Sequence, residues 1–241
     1  MSFEECTVAY DDGGLVCRGL MVRDKSRPEP RPGILLFPDA RGIGETARRY
    51  ARRFADCGFV VLIADLYGQE MFAADIPRAH ELMTALRSDV ELWRQRGRAA
   101  LEALAGQPAV DATRIAAVGY CFGGTTALEL GRSGAELAAI VSFHGGLASP
   151  RPQDAANIKA RVLACHGGAD PVVPPTQVTE FASHMTRATV DWALEVYAGA
   201  LHSFTHTELA GAGVPGHAYD ARADERSWRA MTELLGDVFG R

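Results

Sequence analysis

The sequence lacks several features that would assign it to other protein classes. No apolar run in its 241 residues approaches the roughly 18 residues needed to span a membrane. A formal net charge of −5 and a pI near 5.8 provide no basic surface of the kind that nucleic acid requires. The opening MSFEECTVAY has neither a positively charged segment nor an apolar core, so we expect no signal peptide. We therefore expect a cytoplasmic protein that binds neither nucleic acid nor membrane.

Cysteine is scarce, and its spacing shows no pairing pattern. The five cysteines are widely scattered, and none forms a C-x-x-C pair. Cys6 and Cys17 flank a predicted turn, but a hairpin centred on residues 12–13 would place Cys17 opposite Val8 instead of Cys6. A cross-strand disulfide is therefore not expected, and reduced thiols agree with a cytoplasmic location.

Low complexity is also absent, because 47% of the residues are apolar and 23% are charged, as in ordinary globular proteins. The length suits one large α/β domain or two small ones, and it is enough for a full hydrophobic core. We find no internal repeat and no linker. We therefore expect a single domain over residues 1–241, in which residues 1–32 form an N-terminal hairpin and a connector.

Short apolar segments alternate with amphipathic segments from residue 33 onward. Residues 33–37 and 59–64 are typical of buried parallel strands, and residues 45–57 place apolar side chains about one helical turn apart. This alternation predicts an α/β fold with a doubly wound, mostly parallel sheet and helices on both faces. Further strands are expected at 114–118, 137–143, 161–165 and 192–197, and helices at 75–105 (broken near 87–89), 122–132, 175–186 and 218–239.

The motif GYCFGG at residues 119–124 joins a predicted strand directly to a predicted helix. It matches the nucleophile elbow G-x-S-x-G, with Cys121 in the place of the serine. Glycines at 119 and 123 avoid clashes in so tight a turn, and the strained apex projects its side chain above the sheet. The N-terminus of a helix also favours a thiolate. Cys121 is thus the candidate nucleophile, the alternative being a small buried residue in a glycine-rich turn.

A cysteine nucleophile needs an imidazole base, and the base needs an acid that fixes its tautomer. In α/β-hydrolases the chain order is nucleophile, acid, histidine. Asp170 in HGGADP and His202 in GALHSF follow Cys121 in that order, each after a predicted strand. Ligands bind beyond the carboxyl ends of strands in open α/β sheets, so we expect these three side chains to meet there.

The GYCFGG, HGGADPVVP and HSF segments together resemble the dienelactone hydrolase family of α/β-hydrolases, from about residue 33 to the closing helix. The resemblance implies an α/β-hydrolase fold and a triad of Cys121, His202 and Asp170. It also implies hydrolysis of an ester or lactone bond of a small, carboxylated molecule through a cysteine thioester, with no metal and no organic cofactor. Residues 144–160, between two predicted strands, are too few for a separate lid domain.

The same resemblance assigns an oxyanion hole. The backbone N–H of Phe122, which follows the nucleophile, provides one donor, and the N–H of Ala40 provides the second. Asp39 stands where the family has an acidic residue, usually Glu, that holds the resting thiol. Asp39 is one methylene shorter than Glu, and a simple turn residue is the alternative interpretation.

Substrate contacts are less clearly defined by the pattern. His206 stands where the dienelactone-cleaving members carry an arginine that grips the substrate carboxylate. A neutral imidazole cannot replace a bidentate guanidinium, so Arg41 or Arg78 takes that role or the substrate differs. Tyr120, beside the nucleophile, and His206 itself are further candidate substrate contacts.

Three alternatives remain open from the sequence. A class I glutaminase uses a cysteine on a similar elbow with a His-x-Glu pair, which His206 and Glu208 satisfy. A hydrolase fold can also serve as a non-catalytic binding module. A metal site from His202, His206 and His217 is the third, although no carboxylate cluster joins it. We expect no metal, a small-molecule substrate, and a monomer or small homo-oligomer.

Overall fold

The computed structural model describes residues 3–68 and 72–240, in which strands alternate with helices. The strands are β1 (Phe3–Asp11), β2 (Val16–Asp24), β3 (Arg31–Phe37), β4 (Val60–Ile63), β5 (Val110–Tyr120), β6 (Ala139–Phe143), β7 (Arg161–Gly167) and β8 (Trp192–Tyr197). The helices are α1 (Glu45–Asp56), α2 (Ile76–Arg87), α3 (Val90–Ala105), α4 (Phe122–Arg132), α5 (Pro175–Arg187) and α6 (Ala221–Phe239). None of these described helices is long and apolar enough to cross a membrane.

The strands form one sheet in the order β1-β2-β4-β3-β5-β6-β7-β8. The N-terminal hairpin is antiparallel, and β2 also pairs antiparallel with β4. Parallel pairing joins β3 to β4, β6 to β7, and β7 to β8. This mostly parallel sheet, with helices between its strands, confirms the α/β class expected from the alternating pattern.

The chain divides into two compact units, Met1–Val118 and Gly119–Arg241. The division falls inside β5, close to its carboxyl end. The single domain expected from the sequence stays a prediction.

The hairpin of the first unit has a longer loop than the sequence suggested. Its strands pair from Phe3↔Asp24 to Asp11↔Val16, so residues 12–15 form the loop. Cys17 therefore lies opposite Tyr10, and the predicted partner Val8 was wrong. The Asp11 carboxylate accepts hydrogen bonds from two loop N–H groups at 2.6 and 3.0 Å, which stabilises the wider loop. All five cysteines are free.

The helical region of the first unit is broken where the sequence predicted it. Helix α2 ends at Arg87, and α3 begins after Asp89. The Asp89 side chain accepts the N–H groups of Glu91 and Leu92 at 3.0 and 3.1 Å, which caps two of the donors that a helix start leaves unpaired. Every residue of β3 and β4 is buried, consistent with strands covered on both faces.

In the second unit, three parallel strands end side by side. Phe143 of β6 lies opposite Cys165 of β7, and Gly167 of β7 lies opposite Tyr197 of β8. The loops that follow these strands therefore start from the same edge of the sheet. Between β6 and β7 the chain adds one 3₁₀ helix (Pro152–Asn157), so this connection carries no separate lid domain.

Candidate active site

Cys121 occupies the sharp turn between β5 and α4. Its backbone has φ 53 and ψ −120, in a region that residues other than glycine rarely adopt. A Cβ on Gly119 would overlap the carbonyl of Gly123, so the turn requires glycine at this point. The N–H of Cys121 donates to the carbonyl of Phe143 at 2.9 Å, which ties the strained residue to β6. The predicted elbow is therefore present in its local geometry.

The side chains of Cys121, His202 and Asp170 form a continuous chain of contacts. His202 Nε2 lies 3.1 Å from Cys121 Sγ, and His202 Nδ1 lies 2.7 Å from Asp170 Oδ2. His202 and Asp170 are only 2% and 6% exposed, whereas Cys121 is partly open to solvent. This is the relative arrangement that nucleophile, base and orienting acid need.

Asp170 is held by the loop that follows β7. Its second carboxylate oxygen, Oδ1, accepts the N–H groups of Val172 and Val173 at 2.8 and 3.2 Å. Burial acts to raise the pKa of Asp170, but the hydrogen bond and charge of His202, with these two N–H groups, leave that pKa below its ordinary value. The carboxylate is therefore ionised at neutral pH.

The loops that carry Asp170 and His202 approach each other closely. A Cβ on Gly167 would lie 2.6 Å from the carbonyl oxygen of Ala200 and 2.7 Å from that of Leu201. The N–H of Ala169 also donates to the Ala200 carbonyl at 3.0 Å. The first glycine of HGGADP is thus required by the distance between the two loops.

The backbone of His202 is fixed on both sides by a later segment of the chain. The His202 N–H donates to the Gly216 carbonyl at 3.1 Å, and the Ala218 N–H donates to the His202 carbonyl at 3.2 Å. The ring of His217 packs against the ring of His202 at 5.1 Å, edge to face. The imidazole is therefore held in place by several contacts besides its two hydrogen bonds.

His202 retains its proton far above the range of an ordinary histidine. Burial acts to lower its pKa, but the charge on Cys121 and the hydrogen bond to Asp170 outweigh burial and raise the pKa to about 10. At neutral pH the ring is therefore an imidazolium that faces the sulfur on one side and the carboxylate on the other.

The two predicted oxyanion donors lie in local structures of different kinds. Phe122 is the first residue of α4, where helical geometry directs the N–H out of the N-terminus. Ala40 lies in the turn after β3, and its carbonyl accepts a hydrogen bond from Tyr67 Oη at 2.9 Å. Asp39 Oδ1 accepts the N–H of Arg41 at 2.8 Å, so this side chain stabilises the turn. Its predicted contact with the resting thiol stays a prediction.

The predicted substrate contacts have varied surroundings. The Arg41 guanidinium lies 4.3 Å above the ring of Phe72. Arg78 pairs with Glu81 at 2.7 Å on the exposed face of α2. Tyr120 is 2% exposed and stacks on Phe143, with 4.7 Å between ring centroids. Contact of Arg41, Arg78 and Tyr120 with substrate therefore stays a prediction.

His206, the residue on which the glutaminase alternative depends, is buried. Its ring packs at 5.3 Å against the ring of His144, and its Nδ1 lies 3.6 Å from Glu208 Oε1. The sulfur of Cys121 is instead within hydrogen-bond distance of His202 Nε2, at 3.1 Å. This geometry favours His202 over His206 as the base.

The metal alternative finds no support in the ranges 3–68 and 72–240. No group of three or more His, Cys, Asp or Glu side chains there could hold a metal ion. His202 and His217 pack ring against ring at 5.1 Å, whereas the ring of His206 packs on that of His144.

His144 is the residue of this site that the sequence reasoning undervalued. From the sequence, His144 directly follows the predicted strand 137–143 and is expected to be structural or exposed rather than catalytic, with a place lining the cleft as the alternative. Its ring lies 5.3 Å from the ring of His202, and its Nδ1 lies 3.2 Å from the N–H nitrogen of Cys121. The signal was its position directly after β6, but its contacts join residues far apart in sequence.

Comparison with known proteins places the chain among hydrolases of one family. The model of the dienelactone hydrolase family matches residues 17–239. A crystal structure of a dienelactone hydrolase-like promiscuous phosphotriesterase from metagenomic libraries is 41% identical, with a TM-score of 0.94 and 99% of both chains covered.

Two curated relatives are also similar. An uncharacterised protein of Caenorhabditis elegans is 35% identical over 58% of this chain and 90% of its own length. A protein of Bradyrhizobium sp. named "Probable 2-oxo-3-(5-oxofuran-2-ylidene)propanoate lactonase" is 28% identical over 72% of this chain and 73% of its own. The sheet described above and these similarities agree on the α/β-hydrolase fold.

Proposed function

Because the chain belongs to the dienelactone hydrolase family, we propose that it hydrolyses an ester or lactone bond of a small molecule with Cys121 as nucleophile. The observation that carries this proposal is the contact chain from Cys121 Sγ to His202 at 3.1 Å and from His202 to Asp170 at 2.7 Å. A nucleophile, a base and an orienting acid in hydrogen-bond reach are the requirement of covalent acyl transfer.

The first half of the reaction transfers the acyl group to sulfur. The Cys121 thiolate attacks the carbonyl carbon, and the N–H groups of Phe122 and Ala40 donate to the resulting oxyanion. The C–O bond to the leaving group then breaks, and the His202 imidazolium gives its proton to the departing alkoxide. A thioester on Cys121 remains, with His202 neutral.

The second half regenerates the enzyme with a water molecule. Neutral His202 takes a proton from water, and the resulting hydroxide attacks the thioester carbonyl. The C–S bond breaks, the carboxylic acid product leaves, and the thiolate again faces an imidazolium. Asp170 holds the ring in the tautomer that both steps need, through its 2.7 Å hydrogen bond.

The choice of sulfur favours activated substrates. A thiolate is a good leaving group, so the tetrahedral intermediate on Cys121 returns to substrate unless the alcohol also leaves easily. Enol esters and lactones therefore suit this site better than simple alkyl esters. The Bradyrhizobium relative is named for a lactone that carries a carboxylate, which supports a small carboxylated lactone as substrate. Arg41 and Arg78 are the proposed partners of that carboxylate.

The decisive experiment replaces Cys121. We expect Cys121→Ser to lose at least ~10³-fold in kcat/KM toward a nitrophenyl ester, because a serine hydroxyl in a site built for a thiolate is a weak nucleophile. Iodoacetamide should label Cys121 stoichiometrically and abolish turnover in parallel. As a matched control, Cys57→Ser replaces an exposed cysteine and should keep full activity. Full activity of Cys121→Ser would refute thiolate chemistry and leave a binding module or another nucleophile.

Phosphotriester hydrolysis is a second candidate activity. The similarity to the promiscuous phosphotriesterase extends over 99% of both chains at 41% identity. Attack of the Cys121 thiolate on phosphorus would expel an aryloxide and leave an S–P bond for water to cleave. Hydrolysis of paraoxon that disappears in Cys121→Ala would support this second activity, and hydrolysis that survives the substitution would contradict it.

The proposed assembly is a monomer or small homo-oligomer that acts in the cytoplasm. The proposed location rests on the scattered cysteines of the sequence. Light scattering coupled to size exclusion measures the molar mass directly, and a mass above that of a tetramer would contradict the proposed assembly.

A further inference from the structure

His144 follows β6 directly and is completely buried, but the proposed reaction gives it no role. Its backbone has φ 40, in the left-handed region that a residue with a side chain rarely adopts. A buried imidazole and a strained backbone both cost free energy, so the surrounding contacts must compensate for them. Those contacts indicate what the residue does.

His144 contacts the three chain segments that lead to or carry Cys121, Asp170 and His202. The N–H of Cys121 approaches His144 Nδ1 at 3.2 Å. The N–H of His144 donates to the carbonyl of Cys165 at 2.8 Å, in the strand that leads to Asp170. His144 Nε2 lies 2.8 Å from Thr205 Oγ1, in the loop that begins at His202. The side chain of His144 thus connects the elbow to the loop that begins at His202, and the backbone of His144 connects both to β7.

These contacts favour one tautomer of His144. The Cys121 N–H makes its shorter hydrogen bond to the Phe143 carbonyl at 2.9 Å and also faces His144 Nδ1 at 3.2 Å, which favours a lone pair on Nδ1 and the ring proton on Nε2. Nε2–H then donates to the hydroxyl of Thr205, which is itself buried at 1% exposure. Protonation of His144 would place two N–H groups against each other at Cys121 and would remove the hydrogen bond.

The surroundings keep His144 neutral. Complete burial, and then the charges of His202 and His206, hold the pKa of His144 well below its ordinary value. The His144 ring meets the His202 ring edge to face at 5.3 Å. A neutral ring at this position does not repel the imidazolium of His202, whereas a charged one would.

We propose that His144 is a positioning residue that sets the nucleophile and the base relative to each other, through Nδ1 to the Cys121 N–H and Nε2–H to Thr205. The proposal rests on the function proposed above, since it concerns the same thiol and imidazole. His144 touches neither reacting atom, so it acts by holding Cys121 Sγ and His202 Nε2 at their 3.1 Å contact. A shift of 1 Å in such a contact can cost about 10²-fold in rate.

Two pairs of substitutions test the two hydrogen bonds separately. His144→Gln keeps an amide donor in reach of Thr205 but removes the acceptor at the Nδ1 position, whereas His144→Asn keeps an acceptor there and tolerates positive φ. Thr205→Val removes the hydroxyl, and Thr205→Ser keeps it. We expect His144→Gln and Thr205→Val to lower kcat by ~10–100-fold with KM changed less than ~3-fold, while Thr205→Ser stays near the native rate.

Alkylation of Cys121 by iodoacetamide gives a readout without substrate. A merely structural role would lower the melting temperature but leave the alkylation rate of the folded enzyme unchanged, whereas loss of positioning slows alkylation along with kcat. His80→Asn, at an exposed position of α2, is the matched control and should change neither rate. All rates are compared below the melting temperature of each variant.

Native kcat and native alkylation rates in both His144→Gln and Thr205→Val would overturn the proposal. So would a raised KM at unchanged kcat, because that result would make His144 a substrate contact. If His144→Gln does not fold, the Thr205→Val and Thr205→Ser pair decides, and equal rates for that pair also overturn it. Activity retained by Cys121→Ala would instead refute the proposed function itself, so the two failures are distinguishable.

Discussion

At the scale of single residues, the proposed chemistry depends on the pKa of His202. The ring is 2% exposed and contacts Cys121 and Asp170 through its two nitrogens. Burial works against the charged form, but the Cys121 charge and the Asp170 hydrogen bond outweigh it and raise the pKa to about 10. In the proposed mechanism, the proton for the leaving alkoxide is therefore already on His202 at neutral pH.

Removal of the Asp170 charge should change the pH dependence of catalysis. In the native enzyme we expect kcat/KM to fall on the alkaline side near pH 10, where His202 loses its proton. Asp170→Asn removes a contribution that raises this pKa, so the alkaline limb should move to lower pH and the maximum rate should fall by ~10²–10⁴-fold. Asp237→Asn, at an exposed carboxylate, is the control. An unchanged alkaline limb in Asp170→Asn would show that Asp170 does not set the protonation of the base.

Two neighbouring histidines distinguish the ester hydrolase from the glutaminase alternative. His202→Ala should lower kcat/KM for a nitrophenyl ester by at least ~10³-fold, because the thiol loses its base. His206→Ala should keep kcat/KM within ~10-fold of the native value, because the Cys121 sulfur is hydrogen-bonded to His202. Steady-state kinetics of both variants gives the answer. The reverse ranking would favour a base at His206 paired with Glu208.

At the scale of secondary-structure elements, the site depends on turns that leave no room for side chains. The elbow between β5 and α4 brings Gly119 against the Gly123 carbonyl. The loops after β7 and β8 approach so closely that only glycine fits at position 167. Glycines that take no part in the proposed reaction therefore allow the close turns that position Cys121, Asp170 and His202.

A methyl group at the elbow should destabilise the fold. In Gly119→Ala the new Cβ overlaps the Gly123 carbonyl, and such overpacking typically costs ~1–3 kcal/mol of unfolding free energy. Gly106→Ala is the control, because its backbone has φ −75 and its Cβ would lie 3.3 Å from the Glu102 carbonyl oxygen, whereas a Cβ at position 119 would overlap the Gly123 oxygen. Urea unfolding compares the two. Equal stability of both variants would contradict the account of the elbow.

Local signals predicted most elements, and long-range contacts explain what they missed. The break between α2 and α3 lies where the sequence predicted it, and the structure shows Asp89 as the N-cap of α3. Strand β5 begins at Val110, earlier than expected. The sequence pattern missed its first half because that half is partly exposed and carries the polar Asp111 and Thr113. Cys121, Asp170 and His202 could be predicted from their motifs and their order in the chain. The contact between His144 and Thr205 joins positions 61 residues apart and follows no local sequence pattern.

At the scale of the whole molecule, topology brings distant residues to one place. In the second unit, β6, β7 and β8 run parallel and in register, so the loops after them start at the same edge of the sheet. Those loops carry His144, Asp170 and His202. The order of the strands thus determines which side chains can meet, and the loops determine their distances.

The boundary between the two compact units predicts how the protein unfolds. It falls inside β5, so a single strand contributes to both units. We expect one cooperative transition in differential scanning calorimetry, with equal calorimetric and van't Hoff enthalpies. Two resolved transitions would show that the units unfold independently and would contradict the predicted single domain.

The most direct test of the proposed function is to trap the acyl group on sulfur. The enzyme is quenched in acid during turnover of p-nitrophenyl acetate, digested, and examined by mass spectrometry, with Cys121→Ala treated in the same way. The account predicts one acetyl group on the peptide that contains Cys121 and none on that peptide in the variant. An acetyl group on a different residue, or turnover of Cys121→Ala at the native rate, would contradict it.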